Sequence, residues 1–311
     1  MSNRLANANT PNTTKLGSDR DRPAVESTCP LCEGTGWKPV PATGADDADP
    51  GAPRRVVRCD CRRDAEARVR LSGAQIPKRY EHCTLDNFNA YNESLERAVA
   101  RARRVAETFP SAPRGLFLEG KPGVGKTHLA VAVLKHVIGA SGGHGVFYDT
   151  RDLLRVIRST YDPTTQTTEL QVLRPVMRAD LLVLDDLGAE KTSEWVHETM
   201  NLIVNTRYNE RRLTIFTSNY EDIPDDTEPM SLTFRIGARM RSRLHEMCDF
   251  IEMDAADYRE LPANGGTDDL MTLWKMRRKH LPPRTGRPAR AQLRDRDGKA
   301  DLKWPGGRAG S

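Results

Sequence analysis

The sequence predicts an α/β fold, with a five-stranded parallel sheet flanked by helices. Five short apolar runs follow one another between residues 115 and 254, and longer stretches of helical periodicity separate the first four. Strands that alternate with helices in this way pack as a parallel sheet covered on both faces. In chain order, the runs are GLFLEG, GVFYDT, DLLVLDD, LTIFTSN and DFIEMD.

The composition predicts an ordered core with disordered ends. Of the 311 residues, 37% are hydrophobic and 29% are charged, and the formal net charge is +5. A low apolar and a high charged fraction are typical of chains with disordered segments, which we place at residues 1–27 and over most of residues 262–311. This basic tail carries 12 Lys and Arg against 5 Asp, so the positive charge belongs to the tail.

The N-terminus is polar and has no apolar segment of the signal-peptide kind. No apolar run in the sequence approaches the length that spans a membrane. We therefore expect a cytoplasmic protein without membrane contact. Six cysteines in that compartment predict metal ligands or free thiols rather than disulfides.

A phosphate-binding loop is the strongest motif in the chain. Residues 120–127 read GKPGVGKT and match G-x-x-x-x-G-K-[ST], with a strand pattern before and a helix pattern after. Lys126 is predicted to reach the β- and γ-phosphates of ATP, and Thr127 to bind Mg²⁺. The alternative, a Gly-rich turn without a ligand, does not explain the flanking elements. The predicted nucleotide-binding residues are Gly120, Lys121, Pro122, Gly123, Val124, Gly125, Lys126, Thr127 and His128.

Polar residues end the two apolar strands that follow. DLLVLDD ends in Asp185 and Asp186, and LTIFTSN ends in Asn219. We predict that Asp185 holds Mg²⁺ and that Asp186 orients or deprotonates the attacking water, with Asn219 bonding this water or the γ-phosphate. Because Asp is one methylene shorter than Glu, we expect slow or conditional hydrolysis. The alternatives are solvated acids and an ordinary turn asparagine.

Four of the six cysteines form two close pairs. Cys29 and Cys32 are spaced C-x-x-C, and Cys59 and Cys61 have the tighter spacing C-x-C. Four thiolates close a tetrahedral structural zinc site, and a ribbon this small depends on its metal to fold. We therefore predict a zinc-ribbon-like module at residues 28–63. The alternative is four unrelated free thiols.

Together these motifs resemble the AAA+ ATPases of the DnaC/IstB family. The resemblance is carried by IPKRYEHCTLDNF, GKPGVGKTHLA, LLVLDDLGAE, NTRYNERRLTIFTSN and RMRSRL. It implies an AAA+ P-loop core at residues 115–261 with a reduced lid. It further implies that residues 64–114 form a helical linker, within which residues 84–88 line the adenine pocket.

The resemblance also implies a role for the arginines of RMRSRL. Members of the family assemble side by side, and an arginine of one subunit reaches the γ-phosphate held by the next. Arg239 and Arg243 are four apart and share a helix face. We predict Arg243 as this finger and Arg239 as support for the subunit contact, whereas Arg241 points elsewhere as a solvated residue. A charged surface helix is the alternative. Arg259 is a candidate nucleotide contact in its own subunit.

A zinc module ahead of such an ATPase resembles replicative helicase loaders of the DnaC/DnaI type. This resemblance implies a DnaB-like hexameric helicase and single-stranded DNA as partners, with self-association into a ring or spiral. Arg151, Arg155 and Arg158, at helical spacing, are predicted to face DNA or to form a solvated face. Removing the basic tail from residue 275 is expected to lower DNA affinity and to leave ATP binding intact, unless the tail is only a solubilising disordered segment. The alternatives are an IstB-like transposition helper that forms filaments on DNA and a non-hydrolysing, nucleotide-switched adaptor.

Overall fold

The protein is described by a computed structural model that covers residues 29–40, 55–262 and 264–279. The predictions for residues 1–27 and for the tail after residue 279 lie outside these ranges. Within them, none of the helices combines the length and the apolar content needed to cross a membrane. The strands are β1 (Trp37–Val40), β2 (Arg55–Arg58), β3 (Gly115–Glu119), β4 (Gly145–Asp149), β5 (Leu181–Asp185), β6 (Leu213–Ser218) and β7 (Cys248–Glu252).

Nine helices connect or flank these strands in the described ranges. They are α1 (Asp60–Gly73), α2 (Glu93–Thr108), α3 (Lys126–His136), α4 (Thr150–Ser159), α5 (Glu169–Arg178), α6 (Glu194–Asn209), α7 (Leu232–Ile236), α8 (Ala238–Met247) and α9 (Thr267–Lys279). Several begin at a side-chain cap, such as Asp149 before α4 and Thr168 before α5, which accept the first free backbone N–H groups.

The five-stranded parallel sheet is present as predicted. Its order is β4-β5-β6-β3-β7, and every neighbouring pair is parallel. All residues of β3, β5 and β6 are buried, because α2 and α3 cover one face and α4 to α8 the other. The carboxyl ends of β3, β5 and β6 therefore meet at one edge, where ligands bind in sheets of this kind.

The cysteine module is an antiparallel hairpin of β1 and β2 that runs directly into α1. Cys61 lies in the first turn of α1, so the predicted boundary after residue 63 falls inside a helix and needs correction. The helix continues because Arg62 and Arg70 both pair with Glu66 at i,i+4 spacing. α1 then packs on the turn Val137–Ser141 that ends α3.

One helix lies within the tail that was predicted to be mostly disordered. In residues 262–311 the structure describes α9 from Thr267 to Lys279. Its Leu270 is only 2% exposed. The Asn89 side-chain amide donates to the Thr267 hydroxyl over 2.7 Å at the start of the helix. Burial of this one apolar side chain, together with the hydrogen bond, ties the first turn of α9 to the body of the protein.

Candidate nucleotide-binding site

A cavity of about 910 Å³ opens at the carboxyl edge of β3, β5 and β6. Residues 122–128 line it together with Asp185, Asp186 and Asn219. The structure thus brings together the three predicted groups: the phosphate loop, the paired acids and the strand-end asparagine. Two predicted nucleotide-binding residues, Gly120 and Lys121, contribute backbone carbonyls to the same region.

The backbone of the loop requires glycine, as two of its positions illustrate. Gly123 has φ +78° and Gly125 has φ +96°, a region that side chains with a Cβ rarely adopt. A Cβ at Gly123 would lie 1.6 Å from the Asp257 carboxylate, and one at Gly125 would lie 2.8 Å from the Phe88 ring. The loop therefore passes close to both neighbours before α3 begins at Lys126, with its first N–H groups directed toward the cavity.

Lys126 is held inside the loop. Its ammonium group donates to the carbonyl oxygens of Gly120 and Lys121, each over 2.8 Å, and to the Asn219 side-chain oxygen over 2.7 Å. Burial lowers the pKa of Lys126 to about 8, although Asp185 and Asp186 act in the opposite direction. The group therefore remains mostly protonated at neutral pH, next to the place where phosphates bind in such loops.

Asp185 and Thr127 are in direct contact. The Thr127 hydroxyl donates to Asp185 Oδ1 over 2.9 Å, and the Thr217 hydroxyl donates to the same oxygen over 2.6 Å. Burial raises the pKa of Asp185. A carboxylate and a hydroxyl at this spacing fit the oxygen ligands of Mg²⁺, which keeps waters and phosphates as its other ligands. The sequence analysis missed Thr217, although its place two residues before Asn219 puts it at the same strand end.

Asn219 bridges the lysine and the second acid. Its amide nitrogen donates to Asp186 Oδ1 over 2.5 Å, while its oxygen accepts from Lys126. The other Asp186 oxygen receives the Arg151 guanidinium over 3.3 Å. Asp186 has φ +59°, a backbone conformation that only a few non-glycine residues adopt.

The three arginines predicted to share a face of α4 contact different groups within the chain. Arg151 turns into the cavity, whereas Arg155 pairs with Asp152 over 2.9 Å and Arg158 lies 4.6 Å above the Trp195 ring. Each guanidinium therefore has a different partner. These partners are carboxylates near the start of α4 and the aromatic ring on α6. All three side chains are nevertheless exposed on α4, so a DNA-facing or solvated face stays a prediction.

Part of the predicted adenine segment lines the cavity. Asn87 and Phe88 face it, and the Phe88 ring meets His128 edge-on with ring centres 5.2 Å apart. His128 Nε2 lies 3.1 Å from the Thr84 carbonyl and 3.0 Å from the Asn87 side-chain oxygen. Burial lowers the pKa of His128, which favours the neutral ring. His128 thereby fixes the segment to α3.

The remaining residues of that segment point away from the cavity, which corrects the prediction for residues 84–88. Leu85 is buried in the core, and Asp86 pairs with Arg103 over 2.9 Å. Other lining residues are Tyr91, just before α2, and Leu270 of α9. The pocket wall is therefore completed by a helix that the sequence placed in the disordered tail.

The segment after β7 closes another side of the phosphate loop. The Tyr258 N–H donates to the Gly123 carbonyl over 3.0 Å, and Asp257 Oδ1 accepts from the Arg259 N–H over 2.9 Å. Tyr258 and Arg259 both line the cavity. The structure thus places Arg259 at the cavity that the phosphate loop lines, and a contact with nucleotide stays a prediction.

Arg239 and Arg243 lie elsewhere. Both line a shallow, open groove of about 510 Å³ on the outer side of α8, together with Tyr208. Neither lines the nucleotide cavity of the same chain. Arg241 does point elsewhere, but the prediction that it is solvated is wrong, since it pairs with Asp222 over 2.6 Å.

The four paired cysteines converge at the start of α1. Their sulfur atoms all lie within 4.8 Å of one another, with Cys29 and Cys59 3.8 Å apart and Cys32 and Cys61 3.4 Å apart. A tetrahedral site with Zn–S bonds of about 2.3 Å has sulfur atoms about 3.8 Å apart. The cluster thus fits a structural zinc ion and offers no further ligand position.

Residues 58–260 match the family model described as IstB-like ATP binding protein. The chain belongs to this family. Within it, the predicted resemblance is confirmed by curated relatives named "Replicative helicase loader DnaC". The protein from Buchnera aphidicola (Acyrthosiphon pisum) is 28% identical over 151 residues, which is 49% of this chain and 61% of the relative. The Escherichia coli K12 protein is 28% identical over 146 residues, 46% of this chain and 59% of the relative.

A solved structure gives the same result. The chain resembles "Crystal structure of the DnaC helicase loader" with a TM-score of 0.51 and 35% identity, over 57% of this chain and 99% of that one. The AAA+ α/β fold is therefore established. The match spans about three fifths of the length of the curated relatives, 61% and 59% in the two cases above.

Proposed function

We propose that this protein is an ATP-hydrolysing AAA+ helicase loader that acts in DNA replication. The observation that carries the proposal is the single cavity in which Asn219 links Lys126 to Asp186 beside the Thr127–Asp185 pair. Relatives that share this part of the chain are named replicative helicase loaders.

The cavity residues divide the work of phosphoryl transfer. Backbone N–H groups of the loop and Lys126 bind the phosphates. Thr127 and Asp185 would hold a Mg²⁺ ion, which would supply charge neutralisation at the phosphate oxygens. Asp186 orients or deprotonates the attacking water, whose oxygen bonds to the γ-phosphorus as the bond to the β-phosphate oxygen breaks. Because Asn219 and Arg151 both engage Asp186, we propose that turnover is slow until a partner rearranges them.

The outer groove of α8 carries two arginines that a neighbouring copy could receive. Arg239 and Arg243 are exposed or half-buried, on a helix that faces away from their own nucleotide cavity. A guanidinium from a neighbouring copy placed against the γ-phosphate stabilises the spread charge of the transition state. We therefore propose self-association into a ring or spiral, with Arg243 as the finger and Arg239 supporting the contact.

The zinc-ribbon hairpin offers a surface for the helicase. Trp37 pairs with Arg58 and Pro39 with Val56 across the two strands, so these four residues share one face. Trp37 is 45% and Val56 58% exposed on this face, and Leu31 of the same module is 60% exposed. An exposed apolar patch on a small module is typical of a binding surface. We assign it to the replicative helicase, since the relatives' names imply that partner.

The decisive experiment measures helicase transfer onto circular single-stranded DNA. The purified host helicase, ATP and the full chain are mixed, and DNA-bound helicase is counted with wild type, Lys126→Ala and Trp37→Asp. We expect loading by wild type only, with Trp37→Asp losing helicase binding but keeping ATP binding. Filaments on duplex DNA without helicase would point instead to a transposition helper. Absence of single-turnover hydrolysis, with and without DNA, would point to an adaptor.

A further inference from the structure

Helix α8 is held against the body of the protein on two of its faces. Met240 and Leu244 are buried in the core beneath it. One turn apart on a second face, Arg241 and His245 both meet the Asp222 carboxylate, over 2.6 Å from Arg241 Nε and 3.1 Å from His245 Nε2. The two contacts fix the rotation of α8 about its axis.

Asp222 is in turn anchored at the strand that leads to the phosphate loop. Its N–H donates to Glu119 Oε2 over 2.8 Å. Glu119 is 2% exposed and is the last residue of β3, directly before Gly120. Asp222 also follows Asn219 by only three residues, so a short segment has one end in the nucleotide cavity and the other under α8.

A stack of rings forms a second connection between the same elements. The His245 ring stacks on Phe250 of β7 at 4.1 Å, and Phe250 stacks on Phe117 of β3 at 4.3 Å. Arg114, just before β3, donates to the Glu246 carbonyl at the end of α8 over 3.0 Å. α8 is therefore tied to the strand of the phosphate loop at several points, and Asp222 is the point that joins it to Asn219.

We infer that Asp222 is a positioning residue that aims Arg239 and Arg243 at the neighbouring subunit and links their placement to the nucleotide cavity through the segment 219–222. With the core on one side of α8 and Asp222 on a second, the two arginines project from the remaining face. This inference rests on the proposed function of Arg243 as a finger. It adds a residue that touches neither ATP nor the neighbour.

The test uses subunit mixing with the full-length chain. In Asp222→Ala we expect ATP affinity to stay near wild type. The ATPase rate at protein concentrations where subunits assemble is expected to fall about tenfold, since a small displacement of a catalytic group slows a reaction by at least that much. Asp226→Ala, an exposed acid of the same loop, is the matched control and is expected to hydrolyse ATP like wild type.

Mixing then separates positioning from folding. Lys126→Ala subunits cannot hydrolyse ATP but carry an intact α8, so adding them to Asp222→Ala subunits is expected to restore hydrolysis in the intact cavities. If Arg243→Ala reduces hydrolysis and Asp222→Ala does not, the inference is wrong and the proposed finger stands. If Arg243→Ala has no effect, the finger itself fails. If mixing restores nothing, Asp222 supports the fold or its own cavity, and the inference is overturned.

Discussion

The Lys126 ammonium nitrogen lies 2.7 Å from the side-chain oxygen of Asn219, a residue 93 positions later in the chain. A lysine only donates hydrogen bonds and an ionised carboxylate only accepts them, so the Asn219 amide has one orientation: oxygen toward Lys126 and nitrogen toward Asp186. Asn219, at the end of β6, thereby sets the distance between Lys126, which is proposed to bind phosphate, and Asp186, which is proposed to orient the attacking water.

Replacing Asn219 with alanine is expected to affect hydrolysis more than binding. Lys126 keeps its place in the loop, but Asp186 loses the donor that orients it, so we expect the single-turnover rate to fall about 10- to 100-fold. ATP affinity, measured by fluorescence anisotropy of a labelled nucleotide, is expected to change less than about threefold, a change worth less than about 0.7 kcal/mol. Asn209→Ala, at the exposed end of α6, serves as control. An affinity loss as large as the rate loss would contradict this role.

The pH dependence of ATP binding follows from the pKa of Lys126, which burial lowers to about 8. The protonated amine is the form that binds phosphate, so affinity is complete below pH 8 and falls as the pH rises through 8. Above that pH we expect the ATP affinity to decrease by up to about tenfold per pH unit, because Lys126 must take up one proton when ATP binds. Isothermal titration calorimetry measures this affinity from about pH 6.5 to about pH 9.5, which is about 1.5 units on either side of the Lys126 pKa.

Lys126→Arg is the matched control for this profile. Arginine stays charged over the whole range, so whatever affinity the variant retains is expected to be flat with pH. A flat profile for the wild type would show that Lys126 does not gain a proton when ATP binds.

Metal removal is expected to unfold the hairpin and leave the core intact. Zinc analysis should find one ion per chain, and none in Cys29→Ala, whose cluster has lost a ligand. Cys83→Ala is the control, since Cys83 is buried apart from the cluster and burial raises the pKa of its thiol. Hydrogen exchange should show β1 and β2 losing protection in Cys29→Ala alone. Full zinc content in Cys29→Ala would rule the four-cysteine site out.

The parts of the site that were predicted from sequence depend on local patterns. The loop GKPGVGKT requires glycine for its own backbone, and the acids and Asn219 follow apolar strands directly. Once the strands are parallel and adjacent, their carboxyl ends must meet, so these residues had to converge. The periodicity of the apolar residues and the parallel direction of the strands were sufficient to predict this part of the site.

The parts that were not predicted depend on packing between distant segments. Arg207 reads as one more charge near the end of a helix, but it is 1% exposed and donates to the carbonyls of Val176, Ala179 and Leu213. The Asp222–Arg241 pair likewise joins a loop to a helix without a local signal. These partners depend on which carbonyl oxygens and carboxylates the folded chain leaves without a hydrogen bond. Sequence spacing does not reveal this.

The last prediction concerns α9, the helix near the start of the tail. Leu270 is 2% exposed and lines the nucleotide cavity, so a carboxylate there would be buried in the cavity wall at a desolvation cost. We expect Leu270→Asp to weaken ATP binding about tenfold or more, since one lost apolar contact of this size is worth at least about 1.4 kcal/mol. Truncation after residue 266 should act in the same direction. A cut at residue 275 divides α9 but keeps Leu270, so the earlier expectation that this cut leaves ATP binding intact stays a prediction.

Met276→Asp is the control for Leu270→Asp, because it adds the same negative charge to α9 at an exposed position. Met276 lies on the same helix but is 56% exposed, so the same new carboxylate points to solvent and ATP affinity should match wild type. Equal affinities for both variants, measured by the same anisotropy titration, would mean that α9 does not contact the nucleotide. A loss confined to Leu270→Asp would instead make the first turn of α9 part of the nucleotide pocket.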